Sequence, residues 1–216
     1  MWPPRTMVIT DRSRVPGGDA ALVAFVAAAA RAGVDAVQIR ERDWDDRRLW
    51  QVTRAMRAAV VETRCRLLVN ERAHVAWAAG AHGVHLRGTG MPAPRLRRVQ
   101  PAGALIGRSV HVDDEPGVAA GTDYVLFGMV FPSASKAPGT PPAGVAALAR
   151  WTARATGAVM AVGGVDLTRC AEVRQAGACG VAGIDLFASA YARGDDTLAR
   201  TVRDIHAVFG DEGRTE

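Results

Sequence analysis

A nine-residue block returns four times along this chain, and it constrains the fold more than any other feature. It reads AGVDAVQIR from Ala32, AGAHGVHLR from Ala79, AGTDYVLFG from Ala120 and AGACGVAGI from Ala176. Each copy opens on Ala-Gly. Glycine closes a helix in the left-handed conformation at little steric cost, so the pair predicts a helix end. The runs that follow, such as Val37-Gln38-Ile39 and Tyr124-Val125-Leu126-Phe127, have strand length and many branched or aromatic residues. Four more apolar runs lie between the copies: Met7-Val8-Ile9, Leu67-Leu68-Val69, Ala104-Leu105-Ile106 and residues 158–162. Together they make eight strand candidates.

Helical stretches separate these strands, at 20–31, 45–62, 72–79, 93–99, 114–120, 144–155, 167–176 and 186–192. An amphipathic stretch at 197–209 closes the chain. Strand then helix, eight times over, predicts parallel strands joined by right-handed crossovers. Such a series closes most simply into an α/β (β/α)8 TIM barrel, here one domain over residues 1–216. A doubly wound open sheet is the alternative.

Composition removes several function classes. The formal net charge is +5, but arginine supplies it almost alone, Lys136 being the one lysine. No basic run is interleaved with aromatics, which make up 6% of residues, so no nucleic-acid partner is expected. Cys65, Cys170 and Cys179 lack metal or disulfide spacing, and the histidines form no zinc pattern. The longest apolar run, residues 20–30, is too short to span a bilayer. A cytoplasmic protein with no membrane association is expected, and a homo-oligomer is left open.

Barrels of this kind place their sites at the C-terminal ends of the strands. The residues expected there carry a definite chemistry. Gly163-Gly164 and Gly183-Ile184 follow the last two strands and precede helices, an arrangement that cradles phosphate; two tight turns would need the same glycines. Asp185 adjoins that cradle and would repel a phosphate. Arg40 and Gln38 alternate onto one face, and Arg40 and Arg42 can hold phosphate or carboxylate in forked hydrogen bonds. A surface ion pair with Glu41 or Asp43 is the competing reading. Ser133, Ser135 and Lys136 sit in a polar loop that could close over an anion. His111, two residues after Ser109, could move a proton near neutral pH. Acids are scarce at this rim. Glu71 is well placed, whereas Asp113-Asp114-Glu115 reads as the start of a helix.

These residues resemble the thiamine-phosphate synthase / TenI family, from about Met7 to Ala190. The matching segments are VQIRER (37–42), LVNER (68–72), GVHL (83–86), IGRSVH (106–111), DYVLFGMVF with FPSASK (123–136) and AVGGV (161–165). The synthase branch joins hydroxymethylpyrimidine diphosphate to thiazole phosphate with Mg2+ and releases pyrophosphate. Its pattern matches Gln38, Arg40 and Asn70 as substrate-binding residues. Arg42 stands for a lysine, Glu71 for an aspartate, and Gly90 for a metal-binding aspartate. The other branch comprises metal-independent thiazole tautomerases acting on a thiazole carboxylate phosphate. Its IRER, GRSVH and DYVLFG segments match this chain more closely, and the resemblance implies His111 as the proton-transfer residue. FPSASK resembles the synthase lid. The expectation is therefore a tautomerase without a cofactor. A synthase using Mg2+ at Glu71 is the alternative, and a non-catalytic barrel binding a thiazole phosphate ligand is the third reading.

Overall fold

The computed structural model describes residues 2–133 and 139–210. Eight parallel strands close into a barrel in chain order. They are β1 (Thr6–Ile9), β2 (Ala36–Ile39), β3 (Arg66–Asn70), β4 (Gly83–Leu86), β5 (Leu105–Val110), β6 (Tyr124–Gly128), β7 (Ala158–Val162) and β8 (Gly180–Gly183). The barrel closes where Met7 of β1 faces Ala182 of β8. All eight expected strands are present, and the open sheet is excluded.

Around them lie α1 (Gly18–Arg31), α2 (Asp46–Ala59), α3 (Ala73–Ala78), α4 (Ala93–Arg97), α5 (Val145–Thr152), α6 (Cys170–Gln175), α7 (Asp185–Ala192) and α8 (Asp195–Phe209). The repeated Ala-Gly does end these elements. Gly33, Gly80, Gly121 and Gly177 all have positive φ, between 70° and 94°. One expected helix is missing. Residues 114–120 form only a single 3-10 turn, Pro116–Ala119. Pro116 lacks an N–H, Gly117 disfavours the helix, and Gly121 ends the segment at once. Asp114 caps no helix; its carboxylate accepts the N–H of His111 at 2.7 Å.

Two apolar layers follow from period-two alternation. One face of the strands packs under the helices, with Val8, Val37, Leu67, Val69, Ile106 and Phe127 in one continuous cluster. The other face fills the barrel with Met7, Ile9, Ala36, Leu68, Tyr124, Leu126 and Met160. Tyr124 fits because its neighbour across the ladder is Gly107. A Cβ there would lie 2.0 Å from the tyrosine ring. This apolar plug is the floor on which the polar residues of the next layer stand.

Candidate active site

The alternation that points Ala36 and Leu68 inward also points Gln38 and Arg40, Asn70, His85 and Arg87, and Ser109 and His111 inward, higher up. All but His85, which is buried beneath, line a cavity of about 250 Å³ at the C-terminal mouth. Gln38, Arg40, Arg42, Asn70, Ser109 and His111 line one side. Ser133, Gly163, Gly164, Gly183 and Ile184 also line it. Ser135 and Lys136, expected beside Ser133, lie outside the described residues.

Arg40 and Arg42 do not pair with the acids between and beside them. Arg12, from the β1–α1 connection, takes both: its guanidinium binds Asp43 at 2.6 Å and Glu41 at 3.4 Å. That bond holds the Asp43 carboxyl down at about 2. Arg40 therefore faces the cavity half-buried and without an ion-pair partner among the described residues. Burial and then the charge of Arg42 lower its pKa, against Asp11 and Glu41, which raise it. A desolvated, unpaired cation is a site for an anion.

The amides below it carry a second vacancy in hydrogen bonding. Gln38 Nε2 donates to Asn70 Oδ1 at 3.0 Å, but Gln38 Oε1 is buried with no partner. An unmet buried acceptor at a cavity wall suits an N–H donor of a ring ligand.

Across the ring, the paired glycines both form a tight turn and line the cavity. Gly163 has φ 93 and Gly164 φ 62. A Cβ on Gly163 would stand 2.8 Å from Met129 Cα, and one on Gly164 2.3 Å from the Pro132 carbonyl. So the tight-turn reading is correct as far as it goes, and the same glycines still open backbone to the cavity. Asp185, the apparent blemish, forms an ion pair with Arg14 at 3.2 Å, which offsets its repulsion of an anion.

His111 donates from Nδ1 to the Gly128 carbonyl at 2.8 Å, which leaves Nε2 as the ring nitrogen outside that bond. His85 is different. It is fully buried, and burial, followed by the charges of Arg40 and Arg108, lowers its pKa to about 3. It bridges Tyr124 OH and Ser109 Oγ, at 2.9 Å each. Tyr124 is buried and has His85 as its hydroxyl's partner. With the phenol donating to Nδ1, Nε2–H donates to Ser109, which lines the cavity.

The sequence puts Arg87 and Arg108 at strand ends but assigns neither a role. Arg87 lines the cavity, and Arg108 sits behind it at 4% exposure. The signal for Arg87 was in the repeat: it closes the second copy as Arg40 closes the first.

The fit of Mg2+ can be judged from the donors present. Among the described residues no three His, Cys, Asp or Glu side chains converge. Glu71, the acid at the end of β3, is paired with Arg87. A Cβ at Gly90 would lie 2.9 Å from Glu71 Oε1, so the position that faces Glu71 offers no side-chain oxygen. These residues do not build a divalent-cation site.

The thiamine monophosphate synthase family model matches residues 6–187. The chain belongs to that family. It is thereby placed among enzymes of thiamine biosynthesis. It is 36% identical over 210 residues to the thiamine-phosphate synthase of Methanoculleus marisnigri, covering 96% of this chain and 97% of that one. To the thiamine-phosphate synthase of Roseiflexus sp. strain RS-1 it is 36% identical over 204 residues, 94% of this chain and 84% of the relative. The thiamine phosphate pyrophosphorylase structure from Pyrococcus furiosus superposes with a TM-score of 0.77 at 27% identity, covering 93% and 96% of the two chains. These relatives carry the synthase name, which favours the alternative over the tautomerase expectation. Among the described residues, no helix is long and apolar enough to cross a membrane.

Proposed function

We propose that the chain is a thiamine-phosphate synthase, joining a hydroxymethylpyrimidine diphosphate to a thiazole phosphate with release of pyrophosphate. One observation supports this reading over a tautomerase: three arginines, Arg40, Arg42 and Arg87, share the cavity with the glycines after β7 and β8. Arg40 follows β2 and Arg87 follows β4, while Gly163-Gly164 follows β7 and Gly183 ends β8. In a ring of eight strands, β4 and β8 are diametrically opposed. The single carboxylate of a thiazole carboxylate phosphate needs one of these guanidinium groups, whereas a diphosphate uses all three. A synthase holding a diphosphate and a monophosphate at once uses the arginines and the glycines together.

The roles then follow from the chemistry. The thiazole nitrogen attacks the methylene carbon of the pyrimidine, and the C–O bond breaks with its electron pair leaving on pyrophosphate. Arg40 and Arg42 bind the charge that grows on the leaving group. Gln38 Oε1 accepts from the pyrimidine edge, with Asn70 fixing its amide. The glycine cup holds the thiazole phosphate, and the Ser109 hydroxyl donates between the two. Ser133 at the cavity wall, with Ser135 and Lys136, is assigned to binding the diphosphate. The test is to supply both substrates and measure thiamine phosphate and pyrophosphate together. Equal yields are expected; no pyrophosphate at saturating substrates, with or without Mg2+, rejects the reading.

The tautomerase reading keeps one specific support, the His111 imidazole at the cavity with Nε2 outside its bond to the Gly128 carbonyl. It predicts solvent deuterium entering a thiazole carboxylate phosphate, and a loss of about 10²–10⁴-fold in His111→Gln.

A further inference from the structure

Glu71 ends β3 in the left-handed region, at φ 61. That conformation costs a non-glycine residue roughly 1–2 kcal/mol and is retained where surrounding structure requires it. The turn is closed by Arg72 N–H to the Asn70 carbonyl at 2.8 Å and Ala73 N–H to the Glu71 carbonyl at 2.9 Å. It sends the Glu71 carboxylate to the β4–α4 loop. There it accepts the Arg87 backbone N–H at 3.3 Å and pairs with Arg87 Nε. The loop is pinned from behind. Arg108 donates to the carbonyls of Arg87 at 3.1 Å, Gly88 at 2.7 Å and Gly90 at 3.4 Å, and also to that of Met91. Arg87 is exposed at the cavity rim, and its guanidinium is held there by the pair with Glu71.

We propose that Arg87, held by Glu71, supplies the positive charge that a divalent cation would bring, and that this chain binds the diphosphate group through guanidinium groups without Mg2+. The inference rests on the synthase reading and deepens it. Nε of Arg87 is engaged by Glu71, which leaves both Nη groups for phosphate oxygens in forked geometry. Arg40 and Arg42 complete a set of three guanidinium groups on the same cavity. As the C–O bond breaks, the added negative charge on pyrophosphate is met by these fixed cations, and the ring nitrogen takes the positive charge left on the product. No proton or metal enters that balance.

The test is calorimetric titration of inorganic pyrophosphate into the intact protein, first in EDTA and then in excess Mg2+. The expected dissociation constants agree within about twofold, and Arg87→Ala weakens binding by about tenfold in EDTA. A second variant turns the site around. Gly90→Asp combined with Arg87→Ala places a carboxylate beside Glu71, whose flexible end can yield to the new Cβ. That double variant should bind pyrophosphate only with Mg2+. Wild-type binding that vanishes in EDTA and returns with Mg2+ would overturn the proposal. The two readings fail separately. Coupling that occurs only with Mg2+ removes the metal-free clamp and leaves the synthase. Equal pyrophosphate binding in both buffers with no coupling removes the synthase and leaves the clamp.

Discussion

The two ends of the barrel hold charged residues of the same kinds and treat them in opposite ways. At the N-terminal end, the Asp35 carboxylate accepts from Arg5 N at 2.9 Å, Thr6 N at 3.0 Å and Thr6 Oγ1 at 3.0 Å, and lies 3.2 Å from His206 Nε2 on α8. Arg5 in turn donates to the Cys179 carbonyl at 3.0 Å. That end ties the first strand to the last helix through Asp35. At the C-terminal end, Arg40 is half-buried without a counter-ion, and Gln38 Oε1 is buried without a donor. The contrast lies in these two groups, since Arg87 at the same mouth is paired with Glu71, and Arg12 with Glu41 and Asp43.

Arg40→Ala sets the largest expected effect. It should weaken pyrophosphate binding about a hundredfold, ~2.7 kcal/mol, with thermal stability kept. Calorimetry beside a melting curve checks both halves; a large fall in melting temperature would erase the contrast between the ends. Asp35→Ala should do the reverse. It removes a partly buried acceptor for about 2 kcal/mol, lowers the melting temperature by roughly 4–8 °C, and leaves pyrophosphate affinity unchanged.

Acid should find both ends, through different groups. His82 accepts the Leu67 N–H at Nδ1, and burial, then Arg57 and Arg66, lowers its pKa to about 4. With His85 at about 3, two imidazoles stay neutral in the fold and take protons once unfolded. Their depressed values make stability present above about pH 6.5 and lost as pH falls toward 4, by up to about 1.4 kcal/mol per pH unit for each. Asp35 adds a later loss. Burial pushes its carboxyl up, yet His206 and the Arg5 and Thr6 N–H groups hold it below the ordinary 3.8. Its contribution therefore goes only as pH falls past that value. Urea unfolding against pH measures the slope, and His85→Gln should remove about half of it between pH 6 and 4.

Tyr124→Phe makes the smallest change and the finest distinction. Without the phenol, His85 Nδ1 loses its donor, and the ring is free to turn its proton from Nε2 to Nδ1. Ser109 would then donate inward and stop donating to the ligand. Nitrogen NMR of the imidazole should report Nε2–H in the wild type, and ligand affinity should fall about fivefold in the variant. An Nδ1–H tautomer in the wild type would break the assignment.

Much of this was legible before any coordinates. The Ala-Gly copies placed four helix ends, and the runs after them placed strands, because left-handed closure and two-sided burial leave strong local marks. The rim residues Gln38, Arg40, Asn70, Ser109, His111 and Gly163-Gly164 followed from knowing which strand ends face the mouth. The helix at 114–120 was misread because acidic residues before Pro116 resemble a cap, while Asp114 binds backwards to His111.

The alternation of strand and helix and the inward stripe belong to the sequence, since periodicity is a local property; the pairing of β1 with β8 that closes the ring was decided by the tertiary structure. So was the choice of ion pairs. Which acid Arg12 takes, which Arg87 takes, and so which arginines keep their charge for a ligand, depends on loops brought together from distant strands. Ion pairs act through space, and only the closed barrel sets those distances.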